Sequence, residues 1–442
     1  MHNLEQILET ISNWVWGPPL LCLLFGTHLI LTFRLKFIQR YLGKAIKISL
    51  ERSVEGTGDI SHFGALTTAL AATIGTGNIV GVATAIASGG PGAVFWLWLT
   101  GVFGMATKYA EALLSVKYRV VTQDGLIAGG PMYVLERGMN CRWLGVIFAF
   151  LTAVAAFGIG NMVQANSISQ LVRETLAIPP WITGALLTFL TAVVILGGIR
   201  SIAKTCEKLV PFMVIFVMGG CIILLIAKWE TVPQTLALIF QSAFTGHAAM
   251  GGFLGATLKE AVRYGIARGL FSNESGLGSA PIVAAAAQTQ NPVRQALVSS
   301  TGTFWDTVVV CAIMGIVLVN SGHWQEGLTG TALSKAVFSD LSVWGPIFLT
   351  LGLLTFVFST ILGWSYYGEK AAEYLWGTRS ILVYRWLWVI CVMIGSVLTL
   401  KVVWTFADIA NGFMAVPNLI SLLALQKILV EETRKYLWQE NG

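Results

Sequence analysis

Charge is scarce in this chain. Only 11% of its 442 residues are Asp, Glu, Lys or Arg, while 55% are hydrophobic and the mean hydropathy is +0.73, which excludes a soluble globular or nucleic-acid-binding domain and makes lipid the solvent. Cysteine is scarce too. Of the six, Cys22, Cys206, Cys221, Cys311 and Cys391 fall inside or at the ends of apolar runs, and no CxxC or Cys/His cluster exists, so redox motifs and structural zinc are excluded and packing roles remain. No Lys or Arg precedes Trp14, so the run 14–33 lacks the basic flank of a cleaved leader and reads as a retained span. A P-loop is absent, which argues against nucleotide-driven pumping. The net charge of +6 is spread over the segments between apolar runs, as in the cytoplasmic loops of a membrane protein.

What is present is a series of apolar runs near the spanning length of about 20 residues. They predict an all-α integral membrane protein with eleven spans: 14–33, 63–87, 91–116, 143–172, 181–199, 208–227, 257–288, 293–320, 345–368, 384–400 and 402–427. An outside N-terminus puts the basic clusters from Arg34 to Arg52 and from Lys108 to Arg142 inside, leaving few such as Arg173, Lys228, Lys335 and Lys401 outside. The C-terminus is then cytoplasmic. The stretch 229–256 is expected to be an outer re-entrant or surface segment, with His247 a surface histidine, because a twelfth span there would invert every later loop. Residues 1–62 hold one extra span and a basic loop. Two halves of five spans follow, 63–228 and 257–430, in opposite orientation because five is odd, with a tail at 431–442.

Two of the runs are interrupted at their middle. Phe63 to Ala87 carries Gly75-Thr76-Gly77-Asn78, Leu258 to Ala287 carries Ser272-Asn273-Glu274-Ser275-Gly276, and each leads to a helix opening near a proline, Pro91 or Pro292. Unwound backbone in hydrocarbon costs several kcal/mol per unpaired group, so it persists only where protein, water, ion or substrate satisfies it. A helix resuming at Asn78 presents N–H groups and its positive dipole end, which suit a carboxylate. The half-helix ending near Ile74 presents carbonyls, which suit sodium or an ammonium group. Glycine also serves tight helix packing, so Gly75 and Gly77 alone are weak signals. Four polar residues in a row at membrane depth have no such cheap explanation.

Other polar positions are open to two readings. Gln164 and Asn166 face either a cavity or a neighbouring helix, and Ser359 and Thr360 either complete a sodium shell or bond their own helix carbonyls. Asp306 and Asp408 are functional candidates as intramembrane carboxylates, Asp408 with Arg268 as a possible gate pair.

The pieces Gly75-Thr76-Gly77-Asn78-Ile79-Val80-Gly81, Gly269 through Pro281, and Gly363-Trp364-Ser365-Tyr366-Tyr367-Gly368-Glu369 together resemble the alanine or glycine:cation symporter family. The resemblance covers nearly the whole chain. It implies a LeuT-type five-plus-five inverted repeat preceded by one extra helix, and sodium-coupled uptake of small neutral amino acids across a prokaryotic plasma membrane. By position, Thr76 and Gly77 match donors to the substrate carboxylate, with Gly75 beside them, and Asn78 matches a polar residue near the substrate or first ion. Ser359 and Thr360 match sodium ligands together with carbonyls around Ala71 and Ile74. Phe271, Ser272 and Ser275 would flank the substrate's amino end, and Gln164 and Trp364 would line the cavity. A bulky Phe271 or Trp364 would limit the cargo to something like glycine or alanine.

These expectations name sodium as the coupling ion, no organic cofactor, a zwitterionic amino acid and the bilayer as partners, and no nucleic acid. Proton coupling is the nearest alternative. A channel fits poorly because the breaks occur once per half rather than in rings. An enzyme using Glu274, Asp306 or His28 fits poorly because no nucleophile stands with a base.

Overall fold

The computed structural model describes residues 2–51, 56–245, 258–398 and 401–439. These are mostly helical, as a chain with no water to satisfy its backbone must be, and the one ribbon among them is Val120–Val121 paired antiparallel with Ile127–Ala128. Seven described helices are long and apolar enough to cross a membrane, and His62–Thr73 with Gly77–Gly89 makes an eighth candidate bent by 55°. Pro180–Ile195 is a shorter apolar helix beside them.

Burial runs opposite to that of a water-soluble protein. Ile215, Phe212, Val193, Phe189 and Leu382 are exposed on the outward faces of the 198–227, 180–195 and 380–397 helices. Polar side chains such as Lys108, Glu111 and Asp306 are buried within. The helix Gly92–Lys117 forms the centre, packing most extensively on Leu258–Asn273 and Pro292–Thr303. Several exposed tryptophans sit at or next to helix ends, whereas Trp386 is exposed within the Ser380–Val397 helix. Trp143 and Trp181 are the second residues of Arg142–Phe157 and Pro180–Ile195, Trp229 follows Gly198–Ala227, and Trp344 and Trp376 bracket the 345–376 helix. An indole anchors where hydrocarbon meets headgroups, so these residues mark two levels.

Several boundaries differ from expectation. The run 14–33 is divided: an amphipathic helix His2–Val15 lies against Lys401–Ala424, the chain turns at Trp16–Gly17, and the apolar helix starts at Pro18, a residue suited to a first helical turn. The 198–227 helix takes in Arg200, Lys204 and Lys208, which had read as loop, and the 345–376 helix extends eight residues past Gly368. Its extra turns pair their charges internally, Lys370 Nζ with Glu373 at 2.7 Å and Glu369 with Arg385 at 2.6 and 2.9 Å. In the 229–256 connection a helix, Val232–Thr245, is present, whereas His247 lies outside the described residues.

Beyond the spans, Asp340 joins two connections by accepting from Lys228 Nζ at 2.8 Å and facing His323 Nε2 at 3.1 Å, while His323 Nδ1 faces Glu326 at 2.8 Å. The hydrogen bond to Asp340, with help from Glu326, raises the His323 pKa above the ordinary histidine value against the opposing effect of burial.

Candidate functional site

The first interruption is built by a short run of local bonds. Ser61 caps the helix His62–Thr73, accepting from Gly64 N at 2.9 Å, and the helix ends at Ile74, whose ψ of 98° is extended. Gly75 N then donates to Asn78 Oδ1 at 2.9 Å, and the helix resumes as a wide turn at Gly77. Glycine is required at position 75 because a Cβ there would lie 2.8 Å from Thr360 Oγ1. Thr76 and Gly77 open the resumed half, where N–H groups lack a preceding turn to accept them.

The second interruption starts two residues later than the polar run suggested. Ser272 and Asn273 are still helical, and the chain leaves the helix at Glu274, with positive φ of 53°, 91° and 86° at Glu274, Gly276 and Gly278 before Pro281–Ala284. Glu111 holds this loop. Its Oε1 accepts from Gly276 N at 3.0 Å, Gly278 N at 3.1 Å and Asn418 Nδ2 at 2.7 Å. Glu274 itself accepts from Ser279 Oγ at 2.5 Å.

Asp306 joins the two interruptions. Its carboxylate accepts from Asn78 Nδ2 at 2.7 Å, Ser272 Oγ at 2.9 Å and Thr307 Oγ1 at 2.7 Å, in a wide-turn stretch, Phe304–Cys311. A fully buried carboxyl group with three donors is an acceptor held in place beside the points where both helices break.

Beside the first break, Ser359 Oγ donates to Ala71 O at 3.2 Å and to Phe356 O at 2.8 Å, and Thr360 Oγ1 donates to Phe356 O at 2.9 Å. This approach is possible because Gly363, one turn on, leaves room for Ala72, whose N and Cβ would lie 2.7 Å from an added Cβ. Both hydroxyls bond their own helix and still offer lone pairs toward the first break. Ser359 Oγ thereby ties the 345–376 helix to the end of the first half-helix at Ala71.

A cavity between the breaks is lined by Gly75, Thr76, Gly77, Gln164, Phe271, Thr360 and Trp364, all anticipated from sequence. It is a small cavity of about 30 Å³. Gln164 is fixed by donating to Ile159 O at 3.0 Å, a carbonyl in the wide turn Gly158–Met162, and faces Thr76 Oγ1 at 3.4 Å. Three anticipated residues lie off this cavity: Asn78 and Ser272 turn to Asp306, and Ser275 Oγ pairs with Thr303 Oγ1 at 3.1 Å. Asn166 bonds Gly395 O and Leu398 O on the neighbouring helix, at 3.2 and 2.9 Å. Sequence reasoning missed Asn411, Ile159 and Glu274 as lining groups and Glu111 as the loop's acceptor. The signal available for Glu111 and Asn411 was polarity inside an apolar run.

Among the described residues the cavity shares Thr76, Gly77, Ile159, Gln164 and Phe271 with a larger space on one side. A 780 Å³ vestibule begins at Thr76, Gly77 and Phe271 and widens past Arg268 and Asp408, with Ser12 of the first helix at its rim. Ser12 Oγ donates to Asp408 Oδ2 at 3.0 Å and Trp16 Nε1 to Asp408 O at 3.0 Å, so Arg268 and Asp408 share the vestibule and Asp408 is tied to the first helix. The opposite end is closed by bridges Thr57 to Thr289 and Ile60 to Ala287, joining the start of the first broken helix to the end of the second. Arg119 seals that junction, donating to Ala285 O at 2.9 Å, Ala287 O at 2.8 Å, Thr57 O at 2.8 Å and Thr289 O at 3.0 Å.

Two interrupted helices meeting at a buried cavity are the arrangement of the LeuT-type fold. The fold is similar to the crystal structure of MhsT in complex with L-phenylalanine, with TM-score 0.56 and 13% identity over 86% of this chain and 99% of that one. It is also similar to a variant of the Eremococcus coleocola manganese transporter, with TM-score 0.53 and 13% identity over 86% and 81%. The chain belongs to the sodium:alanine symporter family, which matches it over residues 1–442. Its relatives include the sodium/alanine symporter AgcS of Methanococcus maripaludis, 51% identical over 98% of this chain and 97% of that one. Another is "Probable sodium/glutamine symporter GlnT" of Bacillus subtilis, 35% identical over 99% and 92%. The chain is therefore a multi-pass transporter and not an enzyme.

Proposed function

We propose that the protein carries a small neutral amino acid, alanine or glycine, into a prokaryotic cell together with sodium. The observation that carries this reading is the pairing of opposite needs at one break: opening N–H groups at Thr76 and Gly77 for a carboxylate, and oxygens of Ala71, Ile74, Ser359 and Thr360 for the cation. Phe271, with Glu274, lies where the amino end would sit, while Ser272 and Ser275 shape the second break behind it. Sodium bound beside the first break fixes the half-helix that also presents the carboxylate donors, so each ligand improves the other's binding. The names borne by the relatives support the cation and the cargo class.

In this reading eleven spans cross the inner membrane as one extra helix and two inverted repeats, 63–228 and 257–430, joined by 229–256. The N-terminus lies outside and the C-terminus in the cytoplasm. The vestibule is then the outer entrance and the junction at Arg119 the closed inner gate. Glu274 in the cavity wall keeps proton coupling as a second reading.

Labelled-alanine uptake into proteoliposomes tests both. Saturable uptake driven by a sodium gradient is expected, reduced about tenfold or more in Asn78→Ala and Thr360→Ala, a loss near 1.4 kcal/mol. Linear flux would sink symport, unchanged coupling in both variants would mean the site is misplaced, and uptake driven by a pH gradient without sodium would select the proton.

A further inference from the structure

Lys108 lies midway along the 92–117 helix, 4% exposed, and its Nζ has no hydrogen-bond or ion-pair partner among the described residues. It lines a small space of about 10 Å³ whose wall includes Thr73, at the end of one half-helix, and Asn273, at the end of the other. Asn273 Nδ2 is also unpartnered. Four titratable groups interact electrostatically with the ammonium: Glu111, Glu274, Asp306 and His28. Asp306 has three donors, His28 is held by Thr107 at 2.7 Å, and Glu111 spends one oxygen on the second break while its Oε2 has no partner. Glu274 differs in being both at the hinge and in the wall of the central cavity.

A cation left unpaired in a low-dielectric interior is costly, and so is a carboxylate facing a cavity. An unpaired ammonium that interacts electrostatically with a carboxyl group in the cavity wall describes a pair that forms in another state of the same molecule. The backbone at Glu274 has the freedom for this, since its φ of 53° is a conformation a non-glycine residue leaves when the chain around it rewinds. We propose that Lys108 is the countercharge of the empty carrier, pairing with Glu274 once cargo and cation have left, so that the vacant site returns across the membrane without an exposed carboxylate. This rests on the symport reading above. In the loaded carrier the cargo's ammonium and the sodium ion supply the positive charge and Lys108 stands aside.

Two fluxes separate this role from a structural one. Net sodium-driven alanine uptake requires return of the empty site, whereas exchange of labelled for unlabelled alanine, with equal sodium on both sides, does not. For Lys108→Gln and the apolar isostere Lys108→Met, net uptake is expected to fall about tenfold while exchange and alanine binding persist, and Lys108→Arg to keep both fluxes. Parallel loss of exchange and net uptake in a folded variant, or net uptake equal to wild type, would overturn the proposal. If neither neutral variant folds, wild type still answers. Return of a charge-paired empty site is expected to be insensitive to membrane potential, and steep voltage dependence of that step overturns the idea. Absence of sodium-dependent uptake in wild type would instead overturn the symport reading.

Discussion

At the scale of single residues, the positions that set the site are those where an atom has no room to move. Gly363 is one. An added methyl would press on Ala72 N and Cβ at 2.7 Å, backbone that cannot yield without parting the 345–376 helix from the first half-helix. Gly363→Ala is expected to destabilise by about 1–3 kcal/mol and to raise the sodium concentration for half-maximal uptake, measured as sodium titrations at fixed alanine. A greater loss of alanine affinity than of sodium affinity would place the cation elsewhere. Glu111 gives a contrast by chemistry. Glu111→Ala orphans the donors of Gly276, Gly278 and Asn418, a cost on the order of 2–4 kcal/mol in thermal unfolding, while Glu111→Gln keeps one carbonyl oxygen for them and is expected to lose less than half of that. Equal losses would show that the charge and not the acceptor matters.

Among elements, the two interrupted helices were legible because the four polar residues from Ser272 to Ser275 have no cheap packing explanation at membrane depth, and they match the glycine-bearing break at Asn78. The seven cavity residues foreseen came from those runs and from the family resemblance. What stayed hidden depends on partners distant in sequence. That Ser272 and Ser275 face away from the cavity is decided by Asp306 and Thr303, which no local pattern reveals. The division at Trp16–Gly17 was hidden because hydropathy alone runs smoothly across it. Peripheral elements carry a pH response of their own. Because His323 has its pKa raised in the fold, the bonds to Asp340 and Glu326 stabilise fully below the unfolded value near 6.5. That contribution fades as pH rises through the folded value. Its partial exposure limits the effect to about 0.2–1 kcal/mol. Thermal unfolding of wild type against His323→Gln is expected to differ at pH 5.5 and to converge at pH 8.5; a gap that widens with pH would contradict this.

For the whole molecule, the arrangement is open at one end and tied at the other, and most of the tie passes through one guanidinium. Arg119→Ala removes the donor shared by Thr57, Ala285, Ala287 and Thr289 and shifts the population toward the state open on that side. A cysteine introduced at Thr289 is expected to react faster with a thiol reagent supplied to that side in the Arg119→Ala background, and sodium-driven uptake to fall. Unchanged reactivity would mean the bridges alone hold the gate.

The ring of exposed indoles has a spectroscopic consequence. Of the 16 tryptophans, Trp143, Trp181, Trp229, Trp344 and Trp376 are exposed at or beside helix ends, where headgroups are expected, so part of the intrinsic emission is expected to report on headgroup surroundings and to depend on acyl-chain length. Brominated lipids should quench these five most strongly when the bromine is shallow and spare Trp364 and Trp388, which are shielded from lipid. A fluorescence change on adding alanine that survives such quenching then originates in the interior.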